Sequence, residues 1–376
     1  MIREILKKYL LLICFTSFIS CFAIFDIITG DKELSELENR YLTTKPQASL
    51  QSIVSGKYSK EYEKYINDQF IMRDLFVSFK SVIEYGLMKI ENNNIIYGAN
   101  NHLFEKNTEV NEKRLNENIA ALVAFRDKYN VNFDFIMIPS SYTIYSEDIP
   151  YGLELVNELK EEEYIYSLLR ENNINCIDIS KALISEKSRY IYYNTDHHWT
   201  TLGAYLGYKE FISTKGITAP GYESYKKNEV NDFLGTYYSK SKYFKAKADT
   251  ITYIDTDNLK VDIDGKKYSS LYDNDKFTTS DKYSAFLRGN NGITTIISNS
   301  IEESRKGTSI LIFKDSFANS FIPFLANDYE EITVIDLRHY KGSIEDLIVD
   351  KKYTDMLIMY NFVNFSSDIN IKRLKF

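Results

Sequence analysis

The chain has 376 residues, and 46 Lys and Arg face 53 Asp and Glu, for a formal charge of −7. That mildly acidic balance lacks the positive excess of a nucleic-acid binder, so no nucleic-acid partner is expected. A hydrophobic share of 44% with 15 Gly and 5 Pro excludes collagen, coiled coil and disorder. Composition names no activity.

The pattern divides the chain into residues 1–29, an N-terminal signal-anchor or transmembrane segment; 30–91, a tether and helical lead-in; and 92–376, a large α/β domain. Arg3, Lys7 and Lys8 precede an apolar run from Tyr9 to Phe25, closed by Asp26. Its length is borderline for a spanning helix, which wants about 20 residues. Cations before it and acids after it place the N-terminus inside and the rest outside. The expected localisation is the cell membrane, single-pass, with an extracytoplasmic domain. Phe18-Ile19-Ser20-Cys21 distantly resembles a lipobox, so lipidation at Cys21 is the competing fate. Cys176 is the lone cysteine beyond the run and sits between Ile174 and Ile177, as a buried core thiol would.

Gly30 to Val54 reads as an extended polar tether. Tyr58 to Ile90 carries a helical stripe at Leu75, Phe79, Val82 and Ile83. Asn92 to Gly98 is rich in turn residues. Leu115, Ile119, Leu122 and Phe125 predict a helix, and Phe133 to Ile138 a strand. Tyr164 to Leu169 predicts a helix, Ile174 to Ile179 and Tyr190 to Tyr193 strands, and Ala204 to Phe211 a helix. From about 230 to 300 short alternating stretches predict a β-rich insertion, with a hairpin signal at Asp264-Gly265. Strands then return at Ser309 to Phe313, Ile332 to Leu337 and Asp355 to Tyr360. Strands alternating with helices predict a mainly parallel sheet covered on both faces.

Chemistry concentrates in two loops. There are four histidines, His102, His197, His198 and His339, and two lie in Asp196-His197-His198-Trp199, which holds the only Trp. An Asp beside a His supplies the orienting half of a nucleophilic triad. Ser316 follows the strand ending at Lys314-Asp315 and opens a helical turn, where backbone N–H groups can hold an oxyanion. Three other readings stand beside this one. Asp196 with the two histidines could bind metal, the Asp-Ser pair could be a plain helix cap, and Trp199 could be core or a platform for sugar faces. Adjacent histidines on an extended backbone point to opposite sides, so only one can meet Ser316.

The tetrad Asp196-His197-His198-Trp199 resembles the signature of the DHHW proteins. The resemblance extends over most of the exported chain. It takes in Ser35-Glu36-Leu37-Glu38-Asn39-Arg40, Asp68-Gln69-Phe70 with Arg73, and Ile96-Tyr97-Gly98. It also takes in Asp232-Phe233-Leu234-Gly235-Thr236, Asp281-Lys282-Tyr283-Ser284, Gly289-Asn290 and Lys314-Asp315-Ser316-Phe317. That family is similar to the alginate O-acetylation proteins. The likeness implies an SGNH-hydrolase-like three-layer α/β/α fold, with His198 as base, Asp196 as its orienter and Ser316 as nucleophile. It departs from ordinary SGNH hydrolases in placing Asp and His before Ser, and from those relatives in having Lys314 where a small residue precedes Asp-Ser.

The resemblance implies an extracytoplasmic O-acetyltransferase on a cell-surface polysaccharide, with a membrane-bound O-acyltransferase as partner and no cofactor or metal. Oxyanion support would come from backbone N–H of Ser316 or Phe317, helped by Arg338, Tyr360 or Asn361. His197 and Trp199 would support the site or contact substrate. An esterase using the same residues, or a non-catalytic glycan-binding envelope module, are the alternatives. If the triad reading holds, Ser316 Oγ lies about 2.6–3.2 Å from His198.

Overall fold

The structure, a computed structural model, describes residues 2–35, 40–349 and 351–375. It divides into two units, residues 1–89 with 242–244, and residues 90–241 with 245–376. Glu36 to Asn39 of the family-like stretch lie outside the described residues.

In the first unit Ile2–Ile28 is helical, and Lys8–Asp26 is long and apolar enough to cross a membrane, with none of it buried. The tether is less extended than its polarity predicts. Leu34–Ser35 pairs with Arg40–Tyr41, and Leu50–Val54 forms a short helix. Asp68 holds this stretch down, accepting from Thr43 N at 2.9 Å and Thr43 Oγ1 at 2.7 Å. The predicted helical stripe becomes two helices, Lys57–Gln69 and Arg73–Gly86. Met72 separates them with φ 58°, a left-handed conformation that a continuous helix cannot contain.

The second unit is built on an eight-stranded sheet. Its strands are β1 (Asp134–Ile138), β2 (Asn175–Cys176), β3 (Leu259–Ile263), β4 (Lys266–Tyr268), β5 (Ile293–Ser298), β6 (Ser309–Lys314), β7 (Glu331–Ile335) and β8 (Asp355–Asn361). They stand in the order β4-β3-β5-β7-β6-β8-β1-β2. From β7 to β2 neighbours run parallel. β5, β3 and β4 continue the sheet antiparallel, so the sheet is mixed. The expected β-rich insertion is therefore only partly separate. Lys227–Phe233 and Asp249–Ile254 make their own hairpin, but the later strands join the main sheet. The Asp264-Gly265 turn forms as predicted, with φ 48° and 84°, both positive as a type I′ turn requires.

Consecutive apolar residues in β6 face opposite sides because the side-chain period of a strand is two. Ile310 and Ile312 enter one core with Trp199, Tyr208 and Phe211, the latter two from the helix Thr201–Ser213. Leu311 and Phe313 enter a second core with residues of the helices Glu112–Tyr129 and Glu158–Glu171. Cys176 lies in that second core, and burial pushes its thiol up to about 12. The residues Tyr190 to Tyr193 do not form a strand of the sheet. Tyr192 bridges Trp199 and Thr200 N donates to Ile191 O at 2.9 Å, so this stretch folds back on the histidine loop instead.

Carboxyl ends of the parallel strands share one edge. Phe313 is in register with Ile335, and Asn361 with Ile138, so the loops after β6, β7, β8 and β1 emerge together. That is where ligand sites form in open α/β sheets. Phe313 is fully buried and packs edge-on against Phe125 at 5.6 Å. Phe313→Ala should lower unfolding free energy by about 3–5 kcal/mol, read from the denaturant midpoint at unchanged slope. A loss below about 1 kcal/mol, the scale of a surface change, would contradict this packing.

Candidate active site

The histidine loop is fixed from behind by a buried carboxylate. Asp249 accepts from Asn194 N at 2.9 Å, Thr195 N at 2.8 Å, and the Thr195 and Tyr190 hydroxyls. Thr195 Oγ1 in turn accepts from Gly235 N at 3.0 Å. Downstream, Thr200 caps the helix Thr201–Ser213, its hydroxyl accepting from Gly203 N. The loop is thus held at both ends, and Asp196, His197 and His198 form its bend.

Asp196 Oδ1 accepts from His198 Nδ1 at 2.6 Å and from His198 N at 3.0 Å, while Oδ2 accepts from Thr236 N at 2.7 Å. His198 Nε2 stands 2.8 Å from Ser316 Oγ, across 118 residues of sequence. With the Nδ1 proton held by the carboxylate, Nε2 offers its lone pair to the serine hydroxyl. Tyr283 stacks on the His198 ring at 3.6 Å and 11°, and its hydroxyl donates to Ser316 O at 3.1 Å. Phe317 packs near the imidazole at 4.9 Å. Asp196, His198 and Ser316 are all buried, at 2%, 5% and 8% exposure.

Burial sets the titration of this chain. It opposes ionisation of Asp196, yet His197, His198 and the hydrogen bonds outweigh it and hold the carboxyl well below its usual range. Burial lowers His198, partly offset by Asp196, and the Arg338 and Lys314 cations lower it further. The net shift is downward, which favours the neutral imidazole.

Ser316 opens the turn Ser316–Ser320, whose cap is Asp315. Asp315 does more than cap. It accepts from Phe317 N at 3.0 Å, Asn361 N at 2.7 Å and Asn364 Nδ2 at 2.7 Å, joining the loops after β6 and β8. Burial pushes its carboxyl up. Lys314, also buried, donates to Asn290 at 2.9 Å and Asn319 at 2.8 Å, and reaches Asp336 at 3.4 Å. Its ammonium is pushed down to about 8, chiefly by burial. Arg338 clasps Asp336 through Nε at 2.8 Å and Nη2 at 2.6 Å.

Several residues stand elsewhere than the sequence implied. His197 does not point away from His198, because the loop bends where an extended segment was expected. The two rings lie 3.8 Å apart, and His197 Nδ1 is 3.5 Å from Asp196. Desolvation and then His198 push His197 down to about 4. Trp199 is fully buried and cannot be a sugar platform. Its indole N–H donates to Phe317 O at 2.9 Å, and its ring lies on Gly207, where a side chain would crowd it. Phe317 N–H is taken by Asp315, which leaves Ser316 N–H as the loop's available donor. The Asn361 amide donates to Ile138 O at 3.0 Å and accepts from Val363 N, so it is a cap. Tyr360 packs in the second core with Phe365. Arg338 acts on His198 through its charge, with its donors directed at Asp336.

Asp196, His197 and His198 offer ligand atoms within 4.8 Å of one another. Both His198 nitrogens and both Asp196 oxygens are already hydrogen-bonded, so a cation would have to displace Ser316 or break the Asp196 contact. The geometry fits proton transfer better than coordination.

An α/β unit with a buried Asp–His–Ser hydrogen-bond chain at the carboxyl edge of its parallel strands is the class that fold and site define. The family model described as DHHW protein matches residues 114–335, and this chain belongs to that family. A DHHW family protein from Eubacterium siraeum has a similar structure, with TM-score 0.66 and 26% identity, over 76% of this chain and 96% of that one. PatB1 of Bacillus cereus, solved with a sulfonyl adduct, gives TM-score 0.58 at 20% identity, over 75% of this chain and 98% of that one. A probable alginate O-acetylase, AlgJ, of Azotobacter vinelandii is 24% identical over 162 residues, 40% of this chain and 41% of that protein. The match thus spans less than half of that curated relative.

Tyr283, Asp249 and Gly235 are the residues that sequence reasoning left without a role. Tyr283 and Gly235 lie in family-like stretches, which was the available signal. Two outcomes test this geometry. Arg338→Gln removes a cation that lowers His198, so the imidazole pKa should rise in an NMR titration of labelled histidine. An unchanged or lower pKa would refute the coupling. Any side chain at Gly235 would occupy the space of the Asp196 carboxylate. Gly235→Ala should therefore weaken the His198–Asp196 bond, seen as loss of its downfield imidazole proton signal.

Proposed function

We propose that this protein is a membrane-anchored, extracytoplasmic O-acetyltransferase that modifies a cell-surface polysaccharide. The observation that carries the reading is the chain Asp196–His198–Ser316, with contacts of 2.6 and 2.8 Å. Similarity to an alginate O-acetylase supports acetyl transfer to a sugar hydroxyl. The apolar Lys8–Asp26 helix supports the anchor, with the N-terminus cytoplasmic. On this reading the second unit is an SGNH-hydrolase-like three-layer domain.

Ser316 Oγ attacks the carbonyl carbon of an acetyl ester while His198 Nε2 takes its proton. Asp196 keeps the imidazole in the required tautomer and stabilises the imidazolium that forms. Ser316 N–H is the available donor for the tetrahedral oxyanion. His198 returns the proton to the leaving alcohol, and the acetyl group stays on Ser316. A sugar hydroxyl then attacks the acetyl carbon, deprotonated by the same nitrogen. The bond to Ser316 Oγ breaks, His198 returns the proton to that oxygen, and the ester passes to the polysaccharide. The donor would arrive through a membrane-bound O-acyltransferase partner.

Incubation with p-nitrophenyl acetate should leave an acetyl group on the Ser316 peptide by mass spectrometry, and Ser316→Ala should abolish it. His198→Ala should slow acetylation roughly 10²–10⁴-fold without unfolding the protein. His197→Ala should cost less in rate and more in stability. Absence of the adduct, or the reverse ranking of the histidines, would defeat the assignment. Esterase action is the second outcome of the same assay. Acetate released at equal rate with and without an added oligosaccharide acceptor would replace transfer by hydrolysis.

A further inference from the structure

The helix Arg73–Gly86 is turned the wrong way for a protein surrounded by water. Leu75, Phe76, Phe79, Val82 and Ile83 all lie on its solvent side, and Phe79 is 60% exposed. At 3.6 residues per turn these five positions fall within an arc of about 120°, a single apolar stripe. The side that meets protein is the opposite one. Ser81 there is fully buried, and Tyr85 packs on Tyr243 at 5.7 Å and Phe244 at 5.4 Å. A helix at a water boundary shows the reverse arrangement.

The stripe is continuous with the apolar N-terminal helix. Phe22 stacks on Phe70 at 5.9 Å and 4°, and meets Phe76 at 6.3 Å. One turn further on, Asp26 Oδ1 accepts from Ile71 N at 3.2 Å and marks the polar level. Four residues of helix rise about 6 Å, which puts the Phe22 backbone that far on the apolar side of Asp26, and the Phe70 and Phe76 rings pack on the Phe22 ring. An in-plane amphipathic helix buries its apolar face about 5–10 Å into the headgroup–acyl boundary. The two depths agree.

We propose that Arg73–Gly86 lies in the plane of the membrane surface, with its Leu75–Ile83 stripe buried in the lipid of the leaflet where the N-terminal helix emerges. The occupant of this face is lipid, and the inference rests on Lys8–Asp26 being a membrane span. The first unit is then held by a span and an in-plane helix together.

The test is site-directed spin labelling of the full chain in vesicles of phosphatidylcholine and phosphatidylglycerol. Cys14→Ser and Cys21→Ser free the background, and Cys176 stays buried in the core. Labels are placed through Phe79→Cys on the stripe, Val82→Cys as a second stripe position, and Phe15→Cys within the span. Expected is high accessibility to oxygen and low accessibility to a water-soluble nickel chelate at 79 and 82, as at 15. A lipid-like signal at 15 with nickel access at 79 and 82 overturns the in-plane helix and leaves the span intact. Shielding from both reagents at 79 and 82 overturns it in favour of a protein partner or second copy. Nickel access at 15 overturns the span itself, and the proposal with it.

Discussion

The site depends on keeping one ionised carboxylate, Asp196, in a place without water. Moving such a group out of solvent costs several kcal/mol unless donors replace the lost hydration. Here the replacements are His198 N–H, His198 Nδ1–H and Thr236 N–H. One of them comes from a segment 40 residues away, which explains the tight approach of Gly235 to the carboxylate. The loop that carries Asp196 is itself anchored by Asp249, another buried acid surrounded by N–H and O–H donors. One buried carboxylate thus sets the position of the next.

The same logic repeats along the sheet edge. Parallel strands are covered on both faces, so polar groups at their carboxyl ends are drawn out of water unless each finds a partner. Lys314 emerges from β6 beside Asp336 from the loop after β7, and the Asn290 and Asn319 side-chain oxygens accept its other N–H groups. Asp315 emerges one residue later and binds the loop after β8. Ser316 is therefore placed by two polar neighbours, a lysine and an aspartate, that each reach into a different loop. Lys314 in place of a small residue is intelligible in this setting, because Asp336 and the two amides satisfy an ammonium that no water reaches.

Much of this was legible where the signal is local. The apolar runs of β1, β6, β7 and β8 and the Asp-Gly hairpin turn each follow from a few neighbouring residues. The loops holding Asp196, His198 and Ser316 were readable for the same reason, since each follows a periodic break. What failed was environment. Trp199 was left open between core and platform because nothing local says that Gly203 and Gly207 open a slot for it, and the core reading is the one the structure bears out. His197 was sent to the wrong side because an extended backbone was assumed, whereas the folded-back pairing of Tyr192 with Trp199 bends the loop. Asn361 and Tyr360 were assigned by resemblance, and their burial against Asp315 and the second core appears only once strands are in register. Tyr283 lies 85 residues from His198, beyond any local pattern.

Two opposed pressures explain why aromatic rings surround the base. Asp196 alone would raise the His198 pKa, because a buried anion stabilises imidazolium. In the mechanism proposed above, an imidazole already protonated near neutral pH could not take the serine proton. Tyr283 stacked on one face, with Phe317 beside the ring, removes water from the imidazole and disfavours its charged form. Burial outweighs the carboxylate, and the net shift is downward. The carboxylate aims the imidazole and the rings favour its neutral form, so substituting either one disturbs a balance that the other maintains. Tyr283 also holds Ser316 through its backbone oxygen. The ring that disfavours the charged imidazole is thereby tied to the residue whose hydroxyl that imidazole faces.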